Sequence, residues 1–131
     1  MTPQWVILST VLAIHDEQIA EHGGLPGVRD TGLLESALSR PQNLAAHGDP
    51  EPDIAALAAA YAFGIAKNHP FIDGNKRVSA VVTRLFLRLN GHDFTASEMS
   101  RLRAWLELAA GNTRENDFAQ WVRENISAIK P

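Results

Sequence analysis

The chain has 131 residues, a formal net charge of −3 and no cysteine. This length suits a single domain, over residues 1–131, that folds without metals or disulfides. The absence of cysteine excludes thiolate zinc sites and cysteine nucleophiles, and the small charge with interspersed signs provides no overall field for binding nucleic acid.

No segment of the sequence is typical of export or of a membrane span. Residues 1–5 lack the basic flank that opens a secretory signal. The longest unbroken apolar run, residues 54–66, has thirteen residues, whereas a helix that crosses a bilayer needs roughly 20. We therefore expect a cytoplasmic protein without a membrane partner.

The chain begins with two predicted helices. Apolar residues at helical spacing predict a first helix over about residues 7–21. The glycine-rich segment 23–27 either only ends this helix or also helps to frame a cleft. Asp30 or Thr31 supplies a side-chain cap for a second helix. We expect this second helix to end just before Pro41, because proline has no amide hydrogen to donate.

The third predicted helix is the most apolar one and is expected at the centre of a bundle. Asp53 caps it, Tyr61 is one of its large packing groups, and it ends near Asn68. A fourth helix follows over about residues 75–90, and Gly91 provides the left-handed residue that ends it. The chain therefore reverses direction within the short segment between these two helices.

Two further helices complete the prediction. Thr95 and Glu98 have the spacing of a capping box, which indicates the start of a fifth helix that ends near Gly111. Asn112 and Glu115 have the same spacing and predict the start of a sixth helix. Because the chain shows no alternating strand pattern, the expected fold class is all-α, a single bundle of about six helices.

The turn between the third and fourth helices, residues 69–77, carries the most informative pattern, His-Pro-Phe-Ile-Asp-Gly-Asn-Lys-Arg. Gly74 permits a tight turn, after which the first amides of the fourth helix point outward without partners. These amides lie at the positive end of the helix dipole and form a cradle for an anion. Lys76 and Arg77 add positive charge where a helix ordinarily prefers acidic residues, so the segment predicts a phosphate site.

Four other side chains of this turn have properties that phosphoryl transfer to a hydroxyl requires. His69 is the candidate general base, since imidazole exchanges protons near neutral pH. Phe71, apolar in a polar loop, is expected to point inward and anchor the loop. Asp73 is the candidate ligand for Mg²⁺ beside a nucleoside triphosphate, and Asn75 is able to donate its amide to a phosphate oxygen.

Residues 69–77 match the signature His-x-Phe-x-Asp-(Ala/Gly)-Asn-Lys-Arg, and the chain resembles the Doc (death on curing) toxins, a branch of the Fic superfamily. The resemblance extends upstream to residues 14–16 and 23–27 and downstream to residues 86–91. It implies the small α-helical Fic/Doc core, a reaction of ATP with Mg²⁺, and an antitoxin encoded beside the toxin. It also implies phosphorylation of a translation factor, elongation factor Tu, at a threonine.

The turn and the resemblance together predict the residues of the site. The predicted catalytic residues are His69, Asp73, Lys76 and Arg77, and Asp73 is also the predicted Mg²⁺ ligand. The predicted nucleotide-binding residues are Gly74, Asn75, Lys76 and Arg77.

Two positions separate this sequence from Fic proteins proper, which follow His-x-Phe-x-(Asp/Glu)-Gly-Asn-Gly-Arg-x-x-Arg and transfer AMP. Lys76 replaces the second glycine of that motif, and Ala80 replaces its second arginine. The Lys76 side chain narrows the path of a triphosphate over the backbone, and the missing arginine removes a bidentate phosphate clamp. Both differences favour a kinase, which transfers the γ-phosphate, over an AMP transferase.

The sequence also bears on inhibition. Self-inhibited Fic proteins carry the pattern (Ser/Thr)-x-x-x-Glu-(Gly/Asn), and the nearest segments here, residues 31–36 and 120–125, each miss one position. We therefore expect inhibition by a partner, an antitoxin whose helical segment lays an apolar face into a groove of the bundle.

Three alternatives stay open at this point. The chain is alternatively an AMP transferase, or a catalytically inactive module that only binds a partner. His15 and Asp16 also resemble the metal doublet of HD-type phosphohydrolases, although those enzymes need further His and Asp ligands. Since His15 lies on the apolar face of the first helix, a buried, hydrogen-bonded structural role is favoured for it.

Overall fold

The computed structural model describes residues 2–130 and contains the six predicted helices. They are α1 (Leu8–His22), α2 (Thr31–His47), α3 (Ile54–Asn68), α4 (Asn75–Leu89), α5 (Glu98–Ala109) and α6 (Glu115–Glu124). Two short strands, β1 (His92–Phe94) and β2 (Ile126–Ala128), accompany them. Met1 and Pro131, the two ends of the predicted domain, lie outside the described residues.

Helix α3 lies at the centre of the fold, as its apolar character on all sides predicts. It packs against α2, α4 and α6, and ten of its fifteen residues are buried. Small residues let the neighbouring helices approach closely: a methyl group added at Gly64 would lie 3.3 Å from the backbone of Ala37 in α2. The end of α3, where residue 69 leaves the helix, is therefore fixed by the core.

Helix α2 continues past Pro41 to His47, so the prediction that it ends before Pro41 is wrong. Its predicted start is correct, because the Asp30 carboxylate accepts a hydrogen bond from the Leu33 amide at 2.9 Å. Pro41 removes one hydrogen bond of the helix. Pro41 is buried, and α2 packs along the central helix, so tertiary packing outweighs that loss.

Helices α5 and α6 are present, but their predicted caps are wrong. The Ser97 hydroxyl, rather than that of Thr95, accepts the cap hydrogen bond from the Ser100 amide. Thr95 directly follows β1, and its amide donates to a carbonyl just after α6. Helix α6 begins after Arg114 without a side-chain cap, and the Asn112 side chain hydrogen-bonds back to α5.

Strands β1 and β2 form an antiparallel pair that the sequence did not predict. His92 lies opposite Ala128 and Phe94 opposite Ile126. Each strand has three residues, which is too short for an alternating pattern to be recognised. The pair ties the segment after α4 to the segment after α6, and the fold remains all-α in class.

Within residues 2–130, no helix has both the length and the apolar character needed to cross a bilayer.

Candidate active site

Residues 69–77 join α3 to α4 with the turn geometry that the sequence predicts. His69 follows α3 with φ 47° and ψ 56°, and Gly74 precedes α4 with φ 79°. Among residues 2–130, His69 is the only residue other than glycine with a positive φ. This conformation costs about 1–3 kcal/mol, and a residue before proline ordinarily prefers an extended backbone. Surrounding contacts must therefore hold His69 in place.

Phe71 and Asn75 fix the loop from within. The Phe71 ring is 1% exposed, as predicted for an anchor. The Asn75 side chain accepts a hydrogen bond from the Phe71 amide and donates one to the Phe71 carbonyl, both at 2.9 Å. One N–H of the Asn75 amide remains for the phosphate contact that the sequence predicts.

His15, in α1, packs against the loop and has the buried, hydrogen-bonded structural role that the sequence favours. The side chain is 2% exposed, stacks on the Phe71 ring with centroids 4.0 Å apart, and places Nε2 3.0 Å from the Asp73 carbonyl oxygen. Across residues 2–130, no three His, Cys, Asp or Glu side chains are grouped so as to hold a metal ion. A phosphohydrolase centre built on His15 and Asp16 therefore lacks its ligand set.

The first turn of α4 presents the anion cradle. Within the described chain, the amides of Asn75, Lys76 and Arg77 have no hydrogen-bond acceptor, and α4 has no side-chain cap. The Lys76 ammonium and the Arg77 guanidinium also have no carboxylate oxygen of residues 2–130 within 4.0 Å. Unpaired amides, the helix dipole and an unneutralised lysine together favour a bound anion. A cavity of about 390 Å³ in front of this turn is lined by His69, Ile72, Asp73, Gly74, Asn75, Lys76 and Arg77.

The Asp73 carboxylate is held against the 23–27 turn. Its Oδ1 accepts from the Gly74 amide at 2.9 Å, and its Oδ2 accepts from the Leu25 amide at 3.2 Å. A methyl group added at Gly24 would lie 2.8 Å from Oδ2. Both oxygens keep lone pairs, so this carboxylate fits the role predicted for it, that of a single protein ligand to Mg²⁺.

The Arg77 side chain lies along the end of α1. Its Nη2 donates to the Gly23 carbonyl at 3.0 Å and its Nη1 donates to the Gln18 carbonyl at 3.4 Å. A guanidinium has five N–H groups, so three of them remain for the phosphate contact that the sequence predicts.

The His69 side chain is exposed and makes no hydrogen bond within residues 2–130. It lines the cavity in front of α4 and also a second cavity of about 440 Å³. The second cavity lies between the end of α3 and the α5–α6 connection, and its walls include Phe63, Lys67, Leu108 and Thr113. The imidazole therefore borders two cavities, and the anion cradle lines one of them.

Residues 24–30, between α1 and α2, also hold the loop in place, although the sequence did not predict them as site residues. The Arg29 guanidinium donates to the carbonyls of His69 and Asn68 at 2.7 and 2.8 Å. The sequence signal in this region was the 23–27 turn, which either ends α1 or frames the cleft. The turn does both, because Gly23 ends α1 and the next two residues contact the Asp73 carboxylate.

The sequence matches a known protein family over the region that contains this site. A family model described as the Fic/DOC family matches residues 5–87, which contain the whole 69–77 loop and the residues that brace it. The chain belongs to the Fic/DOC family.

Two curated relatives of this Fic/DOC chain have informative names. The protein kinase doc of Escherichia phage P1 is 38% identical over 81 residues, which cover 62% of this chain and 64% of the relative. The toxin Doc of Mycolicibacterium smegmatis is 40% identical over 74 residues, which cover 56% of this chain and 57% of the relative. The matched part thus spans less than two thirds of either relative's length.

Proposed function

We propose that this chain is the toxin of a toxin–antitoxin pair and acts as a protein kinase. It transfers the γ-phosphate of ATP to a threonine or serine hydroxyl of a translation factor similar to elongation factor Tu, and thereby inhibits translation. The observation that carries the proposal is the first turn of α4, where three amides have no acceptor within residues 2–130, beside the exposed imidazole of His69. The names of the two relatives, a protein kinase and a toxin, support it.

The anion cradle binds the phosphates of the nucleotide. The amides of residues 75–77 and the Lys76 ammonium donate to phosphate oxygens, and the remaining N–H groups of Asn75 and Arg77 add directional contacts. Asp73 and the nucleotide phosphates would hold Mg²⁺, which would supply charge neutralisation. The Asp73 carboxylate is already oriented by the Gly74 and Leu25 amides, so it needs little reorganisation.

The transfer step uses His69 as a base. The acceptor oxygen attacks the γ-phosphorus while the imidazole takes the hydroxyl proton. A bond forms between the acceptor oxygen and the γ-phosphorus, the bond from that phosphorus to the bridging oxygen breaks, and ADP leaves with the electron pair. The second cavity beside His69 provides room for the segment that carries the hydroxyl.

Ala80 supports γ-phosphate transfer over AMP transfer. It lies about one helical turn after Lys76, and both residues line a cavity of about 340 Å³ between α4 and α5. Ala80 occupies the position of the second arginine of the Fic motif, and its methyl group cannot form bidentate hydrogen bonds with a triphosphate.

The choice between the two reactions is tested with ATP labelled at either the α or the γ phosphate. The purified chain is incubated with each form and a bacterial lysate, and labelled proteins are detected after electrophoresis. We expect label only from γ-labelled ATP, on a band of translation-factor size. Label from the α position would establish AMP transfer instead. If neither form of ATP labels a protein, the result would favour a catalytically inactive module that only binds a partner.

A His69→Ala variant is the control for this assay. We expect transfer to fall by about 10²- to 10⁴-fold with little change in ATP affinity, because the base is removed and the cradle is left intact. Expression of the native chain should arrest bacterial growth, and the variant should not. Growth arrest by the variant at equal protein level would contradict a catalytic origin of toxicity.

The antitoxin is proposed to occupy the cleft between α4 and α5. Its walls combine Leu102, which is 47% exposed, with cations that include Lys76, Arg84 and Arg101. An amphipathic helix that carries carboxylates fits such a cleft and would cover the cradle at its Lys76 edge. Leu102→Glu should weaken neutralisation by a coexpressed antitoxin without lowering kinase activity. Met99→Glu, at an exposed α5 position outside the cleft walls, is the matched control.

A further inference from the structure

We propose that Arg29 is a positioning residue for His69. Arg29 donates three hydrogen bonds to three successive carbonyls: Nη2 to Asn68 at 2.8 Å, Nε to His69 at 2.7 Å and its own amide to Pro70 at 2.7 Å. The kinetic part of this inference rests on the kinase function proposed above, whereas its conformational part does not.

The carbonyls that Arg29 contacts have few other donors. The last carbonyls of a helix lack partners inside that helix, and Pro70 prevents the chain from continuing α3. A cation at the C-terminus of a helix also interacts favourably with the helix dipole. The planar guanidinium contacts two adjacent carbonyls at once, which the single ammonium of lysine does not reproduce in the same geometry.

These contacts hold His69 in a conformation that it does not prefer. A histidine before proline favours an extended backbone, yet the residue lies at φ 47° and ψ 56°. The direction of the His69 side chain depends on these angles. Without the guanidinium, the backbone of residue 69 would relax toward the extended region and turn the imidazole away from the anion cradle.

Arg29 is itself held by its neighbours. The next amide, that of Asp30, donates to the Pro70 carbonyl at 3.1 Å, and the Asp30 carboxylate caps α2. The Asn68 side chain donates to the Leu33 carbonyl at 3.0 Å. The start of α2 and the end of α3 thus form one hydrogen-bonded unit, and the guanidinium is the part of it that contacts His69.

The test combines kinetics with a double-mutant cycle. Arg29→Ala should lower kcat by about 10- to 100-fold, the size of effect that a misplaced catalytic group produces, with KM for ATP nearly unchanged. Arg29→Lys should recover part of the loss, and guanidinium ion added to the alanine variant should recover more. In a His69→Ala background, Arg29→Ala should have no further effect, because its action passes through the missing imidazole.

Two controls separate positioning from stability. Arg123→Ala removes an arginine that pairs with Asp53 far from the loop, so it should lower the melting temperature and leave kcat unchanged. NMR of the apoprotein should show altered chemical shifts of the His69 backbone and imidazole in Arg29→Ala, and neither change in Arg123→Ala.

Each outcome has a defined meaning. An equal loss of activity on adding Arg29→Ala to His69→Ala, or an unchanged His69 NMR signal, would overturn the positioning role. If the native chain transfers no γ-phosphate to any protein, the proposed function fails. The NMR comparison still tests the inference in that case, because it needs neither ATP nor a substrate.

Discussion

The two ends of helix α3 are built in opposite ways. At its start, the Asp53 carboxylate caps the helix and forms two hydrogen bonds with the Arg123 guanidinium, at 2.6 and 2.9 Å. At its end, His69 has a strained backbone, and the next helix begins with amides that have no acceptor in residues 2–130. Saturated polar groups stabilise the first end, whereas the loop after the second end leads to the unpaired amides of α4, which remain available for a ligand.

This contrast separates stability from binding within one helix. Substitutions near the start of α3 should change the free energy of unfolding and little else. Substitutions in the loop after its end should change nucleotide binding or phosphoryl transfer. In some cases weaker binding should accompany a higher free energy of unfolding. Four substitutions, with effects that range from large to small, test this separation.

Phe71→Ala should have the largest effect on stability. It removes a fully buried ring that stacks on His15, and the loss should be about 3–5 kcal/mol in the free energy of unfolding measured with urea. ATP binding per folded molecule should be lost as well, because the loop loses its anchor. Phe118→Ala, which removes a buried ring in α6, should cost as much stability while the folded fraction still binds ATP. A Phe71→Ala variant that binds ATP normally would contradict the anchor role.

Lys76→Gln should lower ATP affinity and raise stability. Loss of a charge-assisted hydrogen bond to phosphate should cost about 1.5–3 kcal/mol in binding, measured by calorimetry. Removing a cation from a helix N-terminus should stabilise the unliganded chain by about 0.3–1 kcal/mol. Lys130→Gln, at an exposed position near the end of the chain, should change neither quantity. A fall in stability for Lys76→Gln would mean that the lysine has a structural partner.

Gly74→Ala tests the left-handed turn before α4. Its φ of 79° is unfavourable for a residue with a side chain, so stability should fall by about 1–2 kcal/mol. Gly91→Ala is a matched control, because Gly91 has φ 81° at the other end of α4 and an added Cβ would have no other atom within 4 Å. Both variants should lose similar stability in thermal unfolding, but only Gly74→Ala should weaken ATP binding.

Asp53→Asn should have the smallest effect, and that effect should depend on pH. The hydrogen bonds from Arg123 hold the pKa of Asp53 below its usual range. A lowered pKa contributes stability above the ordinary titration range of a carboxyl, near pH 4, and the contribution is lost as the pH falls through the folded-state pKa. Because the pair is half exposed, the difference between native and variant should be below about 1 kcal/mol at pH 7. Denaturation curves should show this difference vanishing at low pH; a constant difference would exclude the ion pair as its cause.

The sequence predicts the loop better than it predicts what surrounds the loop. The turn at Gly74, the inward Phe71 and the buried His15 all follow from local rules of backbone freedom and apolar spacing, and the structure confirms them. The catalytic and binding roles of the loop residues remain predictions. The same local rules place the starts of α2 and α3 correctly, because a carboxylate three residues before a free amide is a short-range pattern.

Long-range contacts account for what the sequence does not predict. Arg29 contacts carbonyls some forty residues further along the chain, and a backbone acceptor has no side-chain signature. Pro41 remains helical because of packing against the central helix, which outweighs a local rule. The two strands form only because the ends of α4 and α6 meet, so three-residue segments pair without a sequence pattern of their own.

The close approach of Gly24 to Asp73 also limits how this protein can evolve. A side chain at position 24 would collide with a carboxylate that lies only 2.8 Å from the nearest added carbon, at a backbone φ of 116°. Almost every substitution at this codon should therefore be selected against, even though the residue has no chemistry of its own. In a library of all single variants scored by toxicity, position 24 should tolerate as few amino acids as the histidine of the loop.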